Sequence, residues 1–274
     1  MADSFVQRYG PWALVTGASS GIGEQLARAL ASRGLNLVVT ARRLPRLESL
    51  AGELRHRYGV EVEPLGLDLT NPDFLTPLIA ACAGKDIGLV VSNAGFGLKG
   101  EHHRLSTARL SAMLAVNCHA PLLLTHAFTP RLLARGRGGL LLTGSIEGFG
   151  GYPWSSAYAA TKAFVTILGE GLWGELRASG IDVLVLAPGA TDTDAPTLQG
   201  VDKGKIPGPM MTPAEVARQA LCRLGRGPVL IPGFVNRLFV RFLRWMPRRI
   251  GVRLAGHGIR GTMALPEPGS VSIE

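Results

Sequence analysis

Cysteine is scarce in this chain of 274 residues, which carries only Cys82, Cys118 and Cys222. An odd number of widely spaced thiols argues against a disulfide framework and against a zinc cluster, so buried, inert thiols are the expectation. The histidines, including His102-His103, have no partners at metal-ligand spacing, and no metal is assigned. Charged residues are few, at 18%, while 46% of the chain is hydrophobic, enough for a full core in one large α/β domain. No run approaches the ~18 apolar residues of a membrane span. Met1-Ala2-Asp3-Ser4 lacks the basic and apolar regions of a signal peptide, so the expectation is a cytoplasmic protein. Acidic residues are in deficit, 20 against 29 Lys and Arg, giving a formal net charge of +9. The deficit is local: from residue 218 onward ten arginines face only Glu267 and Glu274. A basic segment without a recognisable binding motif points to a local surface and not to nucleic-acid binding.

What is present alternates between strand and helix. Apolar strands are legible at Trp12–Thr16, Asn36–Thr40, Val60–Leu67, Gly88–Ser92, Leu140–Thr143, Asp182–Ala187 and Val229–Ile231. Helical patterns lie between them, notably Glu24–Arg33, Ser106–Cys118 and Tyr158–Ser179. Strands that are apolar throughout are covered on both faces, which predicts an α/β, doubly wound parallel sheet, a Rossmann fold. Ligands of such sheets bind outside the carboxyl ends of the strands. Residues 1–233 are read as the dinucleotide-binding catalytic domain and 234–274 as its basic C-terminal extension. After the first strand comes Thr16-Gly17-Ala18-Ser19-Ser20-Gly21-Ile22-Gly23. Glycines between strand and helix let the backbone turn tightly and approach a pyrophosphate at the positive helix N-terminus.

Tyr158 and Lys162 are spaced i, i+4 and so share a helix face, with Ser145 at the end of a strand thirteen residues before the tyrosine. A phenol titrates near 10 and shuttles protons poorly at neutral pH unless a neighbouring cation favours its phenolate, a role Lys162 can fill. The Ser145 hydroxyl can hold the carbonyl oxygen that Tyr158 protonates.

Together these motifs make the chain resemble the short-chain dehydrogenase/reductase family, from Trp12 to about Ile231. By that resemblance Gly17, Ser19, Ser20, Gly21, Ile22 and Gly23 hold the cofactor, Asp68-Leu69 contacts the adenine, and Asn93-Ala94-Gly95 follows the fourth strand. Asn117 falls where the family places a fourth catalytic residue, positioning a water that relays protons to Lys162, and it can equally bridge helix backbone. Pro188, Gly189, Thr191 and Thr193 fit the segment closing over nicotinamide. Tyr158 and Lys162 serve cofactor binding as well, Lys162 holding the nicotinamide ribose. Three positions depart from the pattern: Ser92, Gly144 and Glu147. Glu147 is read as facing solvent or an arginine in preference to the pocket. The resemblance implies reversible reduction of a small-molecule carbonyl, a lipophilic ketone or alternatively a 3-oxoacyl thioester, and a homo-oligomer built on helices Ser106–Cys118 and Tyr158–Ser179. A catalytically silent NADP-binding regulator or scaffold is the rival reading.

Cofactor choice follows from another absence. An NAD enzyme of this architecture needs an acid at the end of the second strand, and here Thr40 is followed by Ala41-Arg42-Arg43. Guanidiniums suit a 2′-phosphate, so NADP is expected, chiefly through Arg42. The Gly- and Pro-rich stretch Thr193–Met211 reads as a mobile substrate lid ending at the capping signal Thr212-Pro213-Ala214-Glu215. Asn236–Met246 reads as a helix with Arg237, Arg241 and Arg244 on one side and Phe239, Phe242, Leu243 and Met246 on the other, ended by Pro247. Its apolar side either packs on the substrate pocket or joins the arginines in meeting an anionic membrane, an acyl carrier or a coenzyme A thioester.

Overall fold

The apolar runs form one sheet because each is bounded by glycine or a polar turn and is covered by helices on both faces. The computed structural model describes residues 4–206, 208 and 210–263. Met1 to Asp3 and the extension from residue 264 on, with Glu267 and Glu274, lie outside the described residues. In chain order the elements are α1 (Ser4–Tyr9), β1 (Trp12–Thr16), α2 (Gly21–Ala31), β2 (Asn36–Ala41), α3 (Leu44–Tyr58), β3 (Val62–Gly66), α4 (Leu75–Ala81) and β4 (Ile87–Ser92). There follow α5 (Thr107–Leu114), α6 (Ala120–Arg135), β5 (Gly138–Thr143), α7 (Ser156–Leu176) and β6 (Ile181–Leu186). The last are α8 (Ala195–Leu198), α9 (Pro213–Arg223), β7 (Val229–Leu230), α10 (Phe234–Trp245) and α11 (Arg248–Thr262).

Seven parallel strands run in the order β3-β2-β1-β4-β5-β6-β7. The order reverses between β1 and β4, so the turns after these two strands splay apart and open a crevice at their carboxyl ends. One face is filled by Leu26, Leu30, Leu47, Leu54 and Val216 from α2, α3 and α9. The other takes Leu124, Phe128 and Leu132 of α6, Phe74, Leu78 and Leu176.

All seven expected strands are present, that at Val60–Leu67 shortened to β3. The helix expected at Ser106–Cys118 is instead α5, a π-helical turn Ala115–His119 and α6 in one continuous rod, Thr107–Arg135. This rod is long and apolar enough to cross a membrane, and one face of it, Leu124, Phe128 and Leu132, is sealed against the sheet. The stretch expected as a structureless lid carries α8 and a 3-10 turn, Lys203–Lys205. α9 starts as its capping signal predicts, with Thr212 accepting from Glu215 N at 3.2 Å and Pro213 in the first turn. Of the thiols only Cys82 is buried; Cys118 is half-buried and Cys222 exposed.

Candidate active site

Each candidate side chain is placed by the end of a strand or the start of the next helix. After β1, Gly17 (φ +68°) and Gly21 (φ +60°) occupy the left-handed region that favours glycine. At Gly23 a methyl group would overlap Gly17 O and the Asn93 amide. Ser20 caps α2 without its hydroxyl accepting from the helix N–H groups, so those of the first turn remain for an anion. This cradle fits a dinucleotide pyrophosphate. Asn93 holds it in place: its amide donates to Thr16 O at 3.2 Å, and its oxygen accepts from Thr143 Oγ1 at 3.2 Å. The backbone N–H groups of Asn93 and Ala94 both donate to Thr16 Oγ1.

Arg43 reaches into the cradle, its Nη2 donating to Ser19 Oγ at 3.0 Å and Ser20 Oγ at 2.8 Å. Arg42 stands exposed at the end of β2, and Ile22 packs on the core beneath. Asp68, past β3, accepts from Thr70 N and Oγ1, both at 2.9 Å, and Leu69 is buried beside it. Past β6, Pro188 O accepts from Ile146 N, tying this segment to the Ser145 turn. Thr191 Oγ1 donates to Gly189 O at 3.0 Å. Thr193 overhangs Gly21, 3.1 Å from where a Cβ would stand, so the closing segment touches the cradle. The stretch expected as a lid is pinned at several points: Thr191 bridges Met211 at its base, Val201 bridges Met263, and the Gln199 amide rests on Gly97 across the crevice.

Ser145, Tyr158, Lys162 and Asn117 converge on this crevice. Ser145 lies just past the end of β5, where its hydroxyl accepts from Glu147 N at 3.2 Å and stands beside the Tyr158 phenol, favouring its ionised form. Lys162 is buried and donates to Thr143 O at 2.8 Å, its Nζ lying 5.7 Å from the Tyr158 ring centroid. Burial, with a smaller opposing effect from Cys118 and Glu147, holds Lys162 down to about 8. The sequence reading had Lys162 lowering the Tyr158 pKa. Here burial and the Glu147 charge push the phenol up, and the opposing influence is the Ser145 hydrogen bond. The π-helical turn re-aims Asn117 inward, where Nδ2 donates to Phe96 O (2.8 Å) and Thr161 Oγ1 (3.0 Å) while Oδ1 accepts from Phe96 N (3.1 Å). Both Nδ2 hydrogens are committed, and Oδ1 keeps one lone pair. A Cβ on Gly95 would lie 3.1 Å from Asn117 Oδ1 and 3.2 Å from Lys162 Nζ, so the absent methyl leaves space for a water between them.

The sequence did not single out Lys99. Its ammonium, 3% exposed, contacts Glu147 Oε1 at 2.6 Å, Glu147 Oε2 at 2.8 Å and Ser155 Oγ at 2.7 Å, and sits 5.2 Å from the Tyr158 ring centroid. Glu147 therefore pairs inside the site with a lysine, in place of solvent or an arginine. The departure from a small residue at 147 was the available signal, since a carboxylate beside Ser145 requires a counter-charge. Trp154 closes this wall in a left-handed conformation (φ 61°), which is strained for a bulky residue. Its carbonyl accepts from Gly100 N at 2.8 Å and its ring lies under Arg260. The turn Ile146–Phe149 seats against α7 at Gly148, where a Cβ would meet Lys162 O at 2.7 Å.

A cavity of about 620 Å³ opens beside Pro153 and Trp154, walled by Val252, Gly256 and Met263 and rimmed by Lys205, Arg253 and Arg260. Another large cleft, about 630 Å³, lies at the opposite end of the sheet among Phe5, Arg8, Arg33 and Arg226, away from every residue above.

The family model described as short chain dehydrogenase matches residues 11–201. The chain is 30% identical over 234 residues to a 7beta-hydroxysteroid dehydrogenase of Clostridium sardiniense, covering 85% of this chain and 90% of that one. A very-long-chain 3-oxoacyl-CoA reductase of Podospora anserina is 36% identical over 179 residues, 64% of this chain and 53% of its own length. A solved short-chain dehydrogenase from Sphingobium yanoikuyae in complex with NADPH superposes with a TM-score of 0.78 at 34% identity, covering 87% and 96% of the two chains.

Proposed function

The chain belongs to the short-chain dehydrogenase family, and from that premise we propose that it catalyses NADP(H)-dependent, reversible reduction of a lipophilic ketone to a secondary alcohol. The observation that carries the reading is the meeting of Ser145, Tyr158 and Lys162 beside a glycine cradle at the switch in strand order. When bound, the reduced nicotinamide supplies the hydride that adds to the carbonyl carbon. Tyr158 donates its hydroxyl proton to the carbonyl oxygen as general acid, while the Ser145 hydroxyl orients and polarises that oxygen. Lys162 holds the ribose and, with a water held at Asn117 Oδ1, returns a proton to the phenolate. Because burial and Glu147 keep Tyr158 protonated, reduction suits neutral pH, and oxidation, which needs the phenolate, suits alkaline pH.

The Trp154 cavity and the 7beta-hydroxysteroid dehydrogenase relative support a bulky lipophilic ketone. A 3-oxoacyl thioester is the second reading, supported by the Podospora relative and the rim of Lys205, Arg253 and Arg260. Assaying NADPH oxidation against steroid ketones and 3-oxoacyl thioesters separates the two. Turnover of neither class defeats the lipophilic-carbonyl reading. In this reading the chain is a cytoplasmic homodimer, joined through the exposed apolar residues Leu114 of α5 and Phe164 and Ile167 of α7.

For cofactor choice, Arg42 is the clean probe, because Arg43 also braces Ser19 and Ser20. Losing a charge-assisted contact to the 2′-phosphate should cost about 10- to 100-fold. Arg42→Ala is therefore expected to lower kcat/KM for NADPH by that factor and leave NADH nearly unchanged. Equal use of both cofactors by the unaltered enzyme would defeat the assignment.

A pH profile tests Lys162. Its ammonium is present below about pH 8 and lost above. With cationic Lys162 required for ribose binding, kcat/KM for NADPH should be level near about pH 7 and fall roughly tenfold per unit above about pH 8. A profile flat to about pH 10 contradicts this role.

A further inference from the structure

α10 presents three arcs around its axis at ~100° per residue. Val240, 3% exposed, and half-buried Leu243 turn inward, where Leu243 packs on Tyr152 and Ala255. Phe234, Val235, Leu238, Phe242 and Trp245 occupy a second arc and are 58% to 83% exposed. Arg237, Arg241 and Arg244 form the third. The sequence reading set Phe242 and Leu243 on one face, either against the protein or at a membrane; the structure sends Leu243 inward and Phe242 to solvent. α11, which approaches α10 where a Cβ on Gly251 would lie 3.8 Å from Leu243 O, also exposes Ile250 and Leu254. Contiguous apolar patches of this kind are rare on a soluble surface without a partner.

We propose that the α10–α11 surface docks on an anionic lipid bilayer. Residues 234–262 contain seven arginines and no Asp or Glu. Packing this face on itself across a two-fold axis would oppose arginine to arginine with no acid among these residues to compensate. Anionic headgroups supply that compensation, and Trp245 sits where an indole favours the water–lipid boundary. α10 has 12 residues, about 18 Å of helix, too short for a ~30 Å hydrocarbon core. It therefore lies in the plane of the interface, its apolar arc immersed and its arginines at headgroup level. The dimer face proposed on α5 and α7 is a separate surface.

The test uses the full chain with vesicles of phosphatidylcholine alone or with one third phosphatidylglycerol, read by co-sedimentation and by Trp245 emission. Binding is expected only to the anionic vesicles, with a blue shift that Trp245→Phe diminishes, and it should weaken as salt rises. Near an anionic surface each arginine strengthens binding about fivefold, so R237Q/R241Q/R244Q should weaken it roughly 100-fold. F242S/W245S should abolish it while leaving turnover of a water-soluble ketone intact, which shows that the variants fold. Indifference to anionic vesicles overturns the proposal. So does a loss of oligomer in F242S/W245S by analytical ultracentrifugation without any vesicle binding, which assigns the face to a second copy. Vesicle binding is measured without turnover, so this proposal and the reductase reading stand or fall separately.

Discussion

Tyr158→Phe is expected to lower kcat for ketone reduction by at least about 100-fold while NADPH affinity stays within a factor of about two, the pattern of a group used only in the transition state. The substitution removes one oxygen and keeps the ring that Lys99 and Lys162 approach at 5.2 and 5.7 Å, so packing is preserved. What disappears is the acidic hydroxyl that lies beside Ser145 past the end of β5. Single-turnover kinetics with pre-bound NADPH checks the loss, and equilibrium fluorescence of NADPH checks the binding. Near-normal reduction by the Phe variant would remove the proton-transfer mechanism and favour a cofactor-binding scaffold.

Lys99→Met should lower thermal stability by about 3–5 kcal/mol, because it strands the Glu147 carboxylate in a site only 15% exposed. For a chain of this size that is roughly 10 °C in melting temperature. Lys99→Met with Glu147→Leu should recover most of the loss, since replacing both members of a buried pair by apolar groups is often neutral. The pair also acts on the chemistry. Glu147 already pushes the Tyr158 phenol up, and removing a cation that stands 5.2 Å from the ring disfavours the phenolate further. Alcohol oxidation in the single variant should therefore need a higher pH than in the parent, an effect the double variant lacks. Unchanged melting of Lys99→Met, measured by calorimetry, would contradict a buried ion pair.

The strands, the Gly17–Gly23 turn and the Tyr158–Lys162 spacing were legible because each is local: an apolar run, a set of glycines, an i, i+4 pair. The Lys99–Glu147 pair joins residues 48 apart through the fold, and sequence gave only the odd carboxylate. The Asn117 turn reads as ordinary helix, since nothing local distinguishes one π turn within a long rod. In α10 the periodicity revealed an apolar stripe but not which way it faces, and that depends on packing against Tyr152 and α11, contacts that no local pattern names. The short helix α1 was missed for a related reason. It is held from outside itself, by Tyr9 donating to Asp182 Oδ2 at 2.7 Å and Arg8 pairing with the same carboxylate.

Gly148 sets a tolerance. Its bare Cα lets the turn after Ser145 rest on the α7 backbone at Lys162, so the hydroxyl proposed to hold the carbonyl and the phenol proposed to protonate it belong to one mechanical part. The segment bridged at its base by Thr191 and Met211 and the cavity walls at Trp154 and Met263 belong to others. If the Trp154 cavity takes the substrate as proposed, exchanging its wall residues is expected to admit a different carbon skeleton without readjusting the gap between the proposed proton donor and its anchoring hydroxyl. Substrate range and catalytic power become separately adjustable properties, and a laboratory wishing to redirect this enzyme would vary the former set of positions and leave residue 148 alone.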